Sequence, residues 1–258
     1  MFKPETPPDP ILTAVVELID KAMIARNKEQ PKRKYLGASR IGEACERRLG
    51  YEYHQAEKDE GADFAGKTLR IFDMGHDGEE RMAQYIKLAG FELQTHTEEG
   101  RQIGIQDADG KFKGHLDGVI HAGPVIPGLV YPMLWENKAL GDKSWNDAVK
   151  KGIKVSKPVY YAQVQVYMAY HGLESCLFTC LNRDTGEIHI EVIKVNARDA
   201  QGYVDKVVRI VSSENPEELG KAGRGMDDFV CKFCDYKRRC HNTPAPKQPT
   251  DYTPGWLR

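Results

Sequence analysis

Read by the spacing of its apolar positions, the chain has helical ends around a strand-rich middle. Residues 10–27 (PILTAVVELIDKAMIARN) set apolar side chains at helical intervals and predict an amphipathic helix. In LGASRIGEACERRLGYEYH, Ser39 has the chemistry of a helix N-cap, so a second helix is expected from there to about Tyr53. Residues 55–68 are polar and contain glycine, which predicts a loop, and 69–89 read as a third helix. Then the period shortens to two. Segments 91–96, 101–106, 111–120 and 130–138 are strand-like and separated by turn residues. Pro158 opens a helix over 158–171. CLFTCLN and EIHIEVIKV predict two strands around the turn NRDTGE, and 197–213 a further helix. This order predicts an α/β (α+β) fold, a mixed central β-sheet flanked by helices.

Composition changes the picture in three places. With 258 residues, 40% of them hydrophobic, the chain can build a packed core within a single domain, 1–258. Its formal net charge of −1 does not favour nucleic acid, but a local basic groove suffices for binding. Candidates are Lys32, Arg33 and Lys34, then Arg47 and Arg48, then Lys150, Lys151, Lys154 and Lys157. No apolar run approaches the roughly 18–20 residues that span a bilayer, and the N-terminus lacks a signal-peptide core, so no membrane partner and a cytoplasmic, intracellular setting are expected. Six cysteines in such a setting suggest metal or redox use before disulfides.

The most informative stretch is Asp117 followed by Glu136, Asn137 and Lys138. Strand side chains alternate between faces, so Glu136 and Lys138 point one way and Asn137 the other. A hairpin between GHLDGVI and YPMLWENKA would bring Asp117 beside them. Two carboxylates and an ammonium at one point suit phosphodiester hydrolysis with Mg²⁺ or Mn²⁺. Hard cations take oxygen ligands, lower the pKa of a bound water and polarise the phosphate. The backbone carbonyl of Asn137 is a further candidate ligand, and Lys138 could orient the water and offset negative charge in the transition state. LWENKA is apolar around its charges, and burying charge without a purpose is costly.

With MGHDGEE, GHLDGVI, WENKA and QVQVY in this order, the sequence resembles the RecB-like branch of the PD-(D/E)xK nucleases over roughly residues 37–241. That branch includes exonuclease domains of recombination helicases, CRISPR-associated adaptation nucleases and phage exonucleases. The resemblance implies a restriction-endonuclease-like core over 37–241; outside it, the pattern and composition predict an N-terminal helical extension over 1–36 and a flexible Pro-rich tail over 242–258. It implies a metal ligand from the helix before the strands, Glu79, four residues after Gly75, with His76 as its rival. It also implies that Gln163 and Tyr167, one helical turn apart on one face, help position the DNA or the lysine. The expected activity is that of a DNA exonuclease on single-stranded or frayed ends, in recombination, phage DNA processing or CRISPR adaptation, with partner proteins from those pathways. A structure-specific or restriction-type endonuclease, and a non-cutting DNA-binding assembly subunit, stand as alternatives.

Near the C-terminal end, CKFCDYKRRC places Cys231, Cys234 and Cys240 in a C-x₂-C-x₅-C pattern that reads as a metal site needing a fourth ligand. In one subgroup of the same family, an N-terminal cysteine and three C-terminal ones hold a [4Fe–4S] cluster, and Cys45 matches the N-terminal position. Such a cluster would join the two ends of the domain. A structural Zn²⁺, with His241 as a possible ligand, is the alternative. Cys176 and Cys180 share one strand face and are expected to be core residues.

Overall fold

The structure is a computed structural model that describes residues 10–242; the Pro-rich stretches 1–9 and 243–258 lie outside the described residues. In chain order its helices are α1 (Pro10–Glu29), α2 (Glu46–Tyr53), α3 (Gly66–Leu88), α4 (Asp142–Lys151), α5 (Ile153–Ser156), α6 (Pro158–His171), α7 (Ala197–Ser212), α8 (Phe229–Lys232) and α9 (Lys237–Cys240). Its strands are β1 (Leu36–Gly37), β2 (Leu93–Gln94), β3 (Gly104–Asp107), β4 (Phe112–His115), β5 (Gly118–Ile120), β6 (Met133–Leu140), β7 (Ser175–Asn182) and β8 (Ile188–Lys194).

The mixed α/β class agrees with the apolar pattern, but the strands form two sheets. A small sheet has the order β1-β4-β3 and a five-stranded one the order β2-β5-β6-β7-β8. In the larger sheet β5 and β6 are antiparallel, β6 and β7 parallel, and β7 and β8 antiparallel. The parallel pair follows from the α4–α6 crossover between β6 and β7, because parallel neighbours cannot be joined by a tight turn.

Each face of the larger sheet has its own core. On one, Leu134, Cys176, Phe178 and Cys180 pack with Val164, Tyr167 and Met168 of α6. On the other, Met133, Trp135 and Leu177 pack with Met82 and Ile86 of α3. Each large apolar side chain removed from water contributes roughly 2 kcal/mol, so the two layers hold β6 firmly between two helices. Cys176 and Cys180 are fully buried core residues, as their spacing predicts.

Four expectations need correction. The helix predicted from Ser39 starts at Glu46, and Ser39 lies inside a single 3₁₀ turn, Ala38–Arg40. Gly42 explains the interruption: a Cβ there would sit 2.4 Å from Val159 Cα, so the backbone is committed to contact with the start of α6. The loop predicted through residue 68 gives way earlier, since α3 begins at Gly66. The single strand predicted over 111–120 is two strands in different sheets, joined by Leu116 and Asp117. Finally, α4 was not anticipated. Its buried contribution is Trp145 and Ala148 in a polar segment, too little apolar surface to show as a stripe.

Candidate active site

The joint between the two sheets positions Asp117. Leu116 is buried and its N–H donates to Ile103 O (2.8 Å), which fixes the backbone one residue earlier. Pairing of β5 with β6 stops at Gly118 opposite Trp135. Asp117 takes over where the ladder ends, and its Oδ2 accepts the N–H of Asn137 (2.8 Å). A strand residue points its N–H and C=O the same way, so the Asn137 carbonyl faces the same gap. The Asn137 side chain belongs to the opposite face, where Thr179 Oγ1 donates to its Oδ1 (2.9 Å).

Glu136 is 0% exposed. The Lys138 ammonium donates to its Oε1, and the same ammonium lies 4.0 Å from Asp117 Oδ2. Glu136 Oε2 is buried and has no hydrogen-bond partner among the described residues. An ionised carboxylate in that state costs about several kcal/mol. Burial accordingly raises the Glu136 carboxyl to about 8, helped by the neighbouring Asp117 charge and opposed by Lys138. Burial also raises Asp117, against the opposing pull of Lys138, the Asn137 N–H and His76. Burial alone would lower Lys138, but Glu136 and Asp117 outweigh it and hold the ammonium protonated.

α3 brings the next group. A Cβ on Gly78 would lie 2.8 Å from the Ala139 Cβ, so glycine is what lets this helix lie directly on β6. Glu79 follows it, half-buried, and burial with the Asp117 charge raises its carboxyl to about 7. His76, exposed and one turn earlier, acts on the same Asp117. Both rivals for the helix-borne ligand therefore border the site.

α6 closes the other side. Gln163 Nε2 donates to Tyr167 Oη (3.4 Å), and both side chains are buried. Burial and the nearby Glu136 charge raise the Tyr167 phenol. Gly114 makes room for this ring: a Cβ there would lie 2.6 Å from Tyr167 Cε1. The sequence reading missed Tyr160, one turn before Gln163, whose ring carries the Lys138 ammonium 5.4 Å from its centroid and stacks on Phe178. Its i, i+3 and i, i+7 spacing to Gln163 and Tyr167 was the available signal.

The four cysteines of the expected cluster also meet. Cys45, Cys231, Cys234, Cys240 and His241 line one pocket, and Cys231 Sγ lies 3.6 Å from His241 Nε2. Bonds to backbone groups gather the segments around this pocket. Arg47 N donates to Gly220 O (3.1 Å) and its side chain to Leu219 O (3.0 Å), while Asp59 accepts the Arg238 N–H (2.7 Å). As they stand, no three His, Cys, Asp or Glu side chains among the described residues are placed to hold a metal ion, at either centre. At the carboxylate centre the Lys138 ammonium lies against Glu136 instead.

Several basic candidates prove to be internally engaged. Arg47 binds the carbonyls just described, Arg48 pairs with Glu43 (3.1 Å), and Lys151 and Lys154 pair with Asp147 (2.6 Å) and Asp199 (2.9 Å). Lys157 lies 3.6 Å from Asp147. No helix among the described residues is long and apolar enough to cross a membrane.

Sequence comparison finds no matching protein family and no curated relative. Among solved structures, the fold is similar to that of SSO0001, with a TM-score of 0.51 at 17% identity, over 90% of this chain and 96% of that one. It also overlaps an alkaline exonuclease (LHK-Exo) from Laribacter hongkongensis, with a TM-score of 0.49 at 16% identity, over 74% of this chain and 91% of that one. At such identity the likeness to SSO0001 speaks for a shared fold and nothing finer.

Proposed function

We propose that this chain is a divalent-metal-dependent deoxyribonuclease of the RecB-like PD-(D/E)xK kind, an exonuclease acting on single-stranded or frayed DNA ends. One observation carries the reading. Asp117 meets the pair made by the fully buried Glu136 and the partly exposed Lys138 where a strand ladder ends, and Glu136 Oε2 is left buried with no partner among the described residues. A core carboxylate oxygen without a donor fits a cation better than it fits a structural role.

Asp117, Glu136 and Glu79 would hold the Mg²⁺ or Mn²⁺, with His76 and the Asn137 carbonyl as the remaining candidates. When bound, such an ion supplies Lewis acidity to the phosphate and a more acidic water. The chain's own groups do the rest. The Asn137 N–H orients the Asp117 carboxylate. Lys138 Nζ keeps its proton between the two carboxylates and offers it to the charge that develops on a phosphate oxygen. The Gln163–Tyr167 pair and the ring of Tyr160 restrict where that ammonium can go. Cys45, Cys231, Cys234 and Cys240 are assigned to a [4Fe–4S] cluster that ties the N-terminal helices to the C-terminal segment, and Zn²⁺ is the alternative.

The test is cleavage of end-labelled linear and of circular single-stranded DNA with Mn²⁺. Loss of the linear strand alone supports an exonuclease. Nicking of the circle would transfer the site to an endonuclease, and no cleavage of either would leave a DNA-binding assembly subunit. Iron, sulfide and zinc analysis of anaerobically purified protein decides the cysteine site.

A further inference from the structure

A groove of about 1160 Å³ opens beside the α2–α3 connection, and its walls include Phe64, Phe72 and Phe233 together with Lys32, Arg33 and Lys58. All three rings are open to solvent, at 41%, 45% and 71% exposure. Phe64 and Phe72 meet edge to face at 5.1 Å, and the Lys58 ammonium lies 4.7 Å from the centre of the Phe64 ring. Phe233 arrives from the far end of the sequence, between Cys231 and Cys234. Exposed aromatics gathered from three segments around one groove mark an interaction surface.

Geometry links the groove to the carboxylate centre. Phe72, His76 and Glu79 follow at i, i+4 and i, i+7 and so share one face of α3. Seven residues of helix rise about 10 Å, the span of two or three nucleotides. The charges on the walls are largely settled among themselves. Glu52 is held by Arg40 (2.8 Å), Asp235 by Lys58 (2.9 Å), and Asp59 by the backbone N–H groups of Arg238 and Arg239. Lys32 and Arg33 have no ion-pair partner among the described residues; Glu57, Glu60 and Asp63 also stand on the walls and offset their charge, so the groove as a whole is not basic.

We infer that this groove is a stacking track for single-stranded DNA, in which Phe64, Phe72 and Phe233 receive unpaired bases of the strand whose phosphates reach the Asp117–Glu136–Lys138 centre. The inference rests on the deoxyribonuclease reading and adds to it the surface that receives the single strand. Flat rings that accept any base, with cations beside them, match a strand with its bases unstacked; a duplex hides those faces. Because the wall charges nearly balance, stacking and not phosphate contact dominates, and affinity falls only gently with salt.

The experiment uses the full-length chain in EDTA, with a fluorescent oligothymidylate of about 12 nucleotides and a duplex of the same length, read by anisotropy. Phe72→Leu/Phe233→Leu keeps apolar bulk and removes two rings. Single-strand affinity should drop at least about tenfold, duplex affinity should stay as in the wild type, and Phe72→Trp/Phe233→Trp should bind at least as well as the wild type. Phe233→Leu alone, at the most exposed of the three positions, provides a second variant if the double variant melts early. Unchanged single-strand affinity in either Leu variant would overturn the inference. So would a loss that tryptophan does not restore, or a wild type that prefers duplex. Cleavage of an end-labelled strand with Mn²⁺ is followed in parallel. A protein that cuts normally while its Leu variants bind normally refutes the track alone and hands the groove to a protein partner. A protein that neither cuts nor binds refutes the nuclease reading with it.

Discussion

The carboxylate centre and the cysteine pocket both assemble residues that are distant in sequence, but by different means. Asp117, Glu136 and Lys138 are placed by strand register, with α3 and α6 packed on either face of β6. Cys45 precedes an eight-residue helix, and Cys231, Cys234 and Cys240 lie in or next to helices of four residues each. Such short helices cannot sustain themselves. The pocket walls lean on side-chain bonds to backbone, such as Arg47 to Leu219 O and Asp59 to Arg238 N. The first centre is shaped by the backbone, whatever it binds. The second would take much of its rigidity from whatever the thiols bind.

This contrast can be broken from either side. The largest effect is expected from Lys138→Ala, which should cut Mn²⁺-dependent cleavage roughly a thousandfold while circular dichroism shows the fold intact, with only the moderate loss of stability that follows from breaking the ion pair to Glu136. A collapse of stability would show that the centre is not held by register alone. Gly78→Val should press on Ala139 and lift α3 from β6, costing up to about a hundredfold in turnover by displacing Glu79, with part of the loss recovered at high Mn²⁺. Wild-type turnover in this variant would argue against α3 as a ligand donor. Cys231→Ala should behave in the opposite way to Lys138→Ala. The bound metal is lost and thermal melting falls by about 10 °C, on the order of 3 kcal/mol for a chain of this size, while turnover per folded molecule stays within about threefold. An unchanged melting curve would demote the pocket to a cluster of free thiols.

Smaller effects sharpen the same distinction. In metal-free protein, the raised carboxyls of Glu136 and Glu79 keep protons that the unfolded chain gives up above about 4.5. Unfolding therefore releases protons, and stability should fall as pH rises from about 4.5 to about 8. Glu136→Gln should flatten that slope in melting scans, and saturating Mn²⁺ should reverse it; an identical slope in the variant would contradict the burial argument. The smallest change is expected at Tyr160. Tyr160→Phe keeps a ring under Lys138 and should be near neutral, whereas Tyr160→Leu should lose about fivefold in turnover. Equal losses in both would point to the hydroxyl instead.

How much was legible in the sequence follows from the same physics. The Glu136–Lys138 alternation and the hairpin to Asp117 depend on period-two geometry, which is local, and the structure brings those side chains together. The break between β4 and β5 was not legible. It depends on β1, a two-residue strand 75 positions upstream of β4, pairing with β4 at Leu36↔Phe112 and Gly37↔Lys113. The interruption at Gly42 likewise depends on contact with α6, more than 100 residues away. Tyr160 was hidden because α6 is buried nearly all round, so no stripe marks the face that meets Lys138. Long-range packing, not composition, decided each of these.

The bond from the Asn137 amide to Asp117 has a practical corollary. An asparagine at position 117 would retain a side-chain oxygen to accept that amide hydrogen, so the strand junction would keep its shape while the negative charge disappears. On the proposed deoxyribonuclease reading, Asp117→Asn is therefore the gentlest way to silence the protein, and the variant of choice for capturing an uncut strand for crystallography.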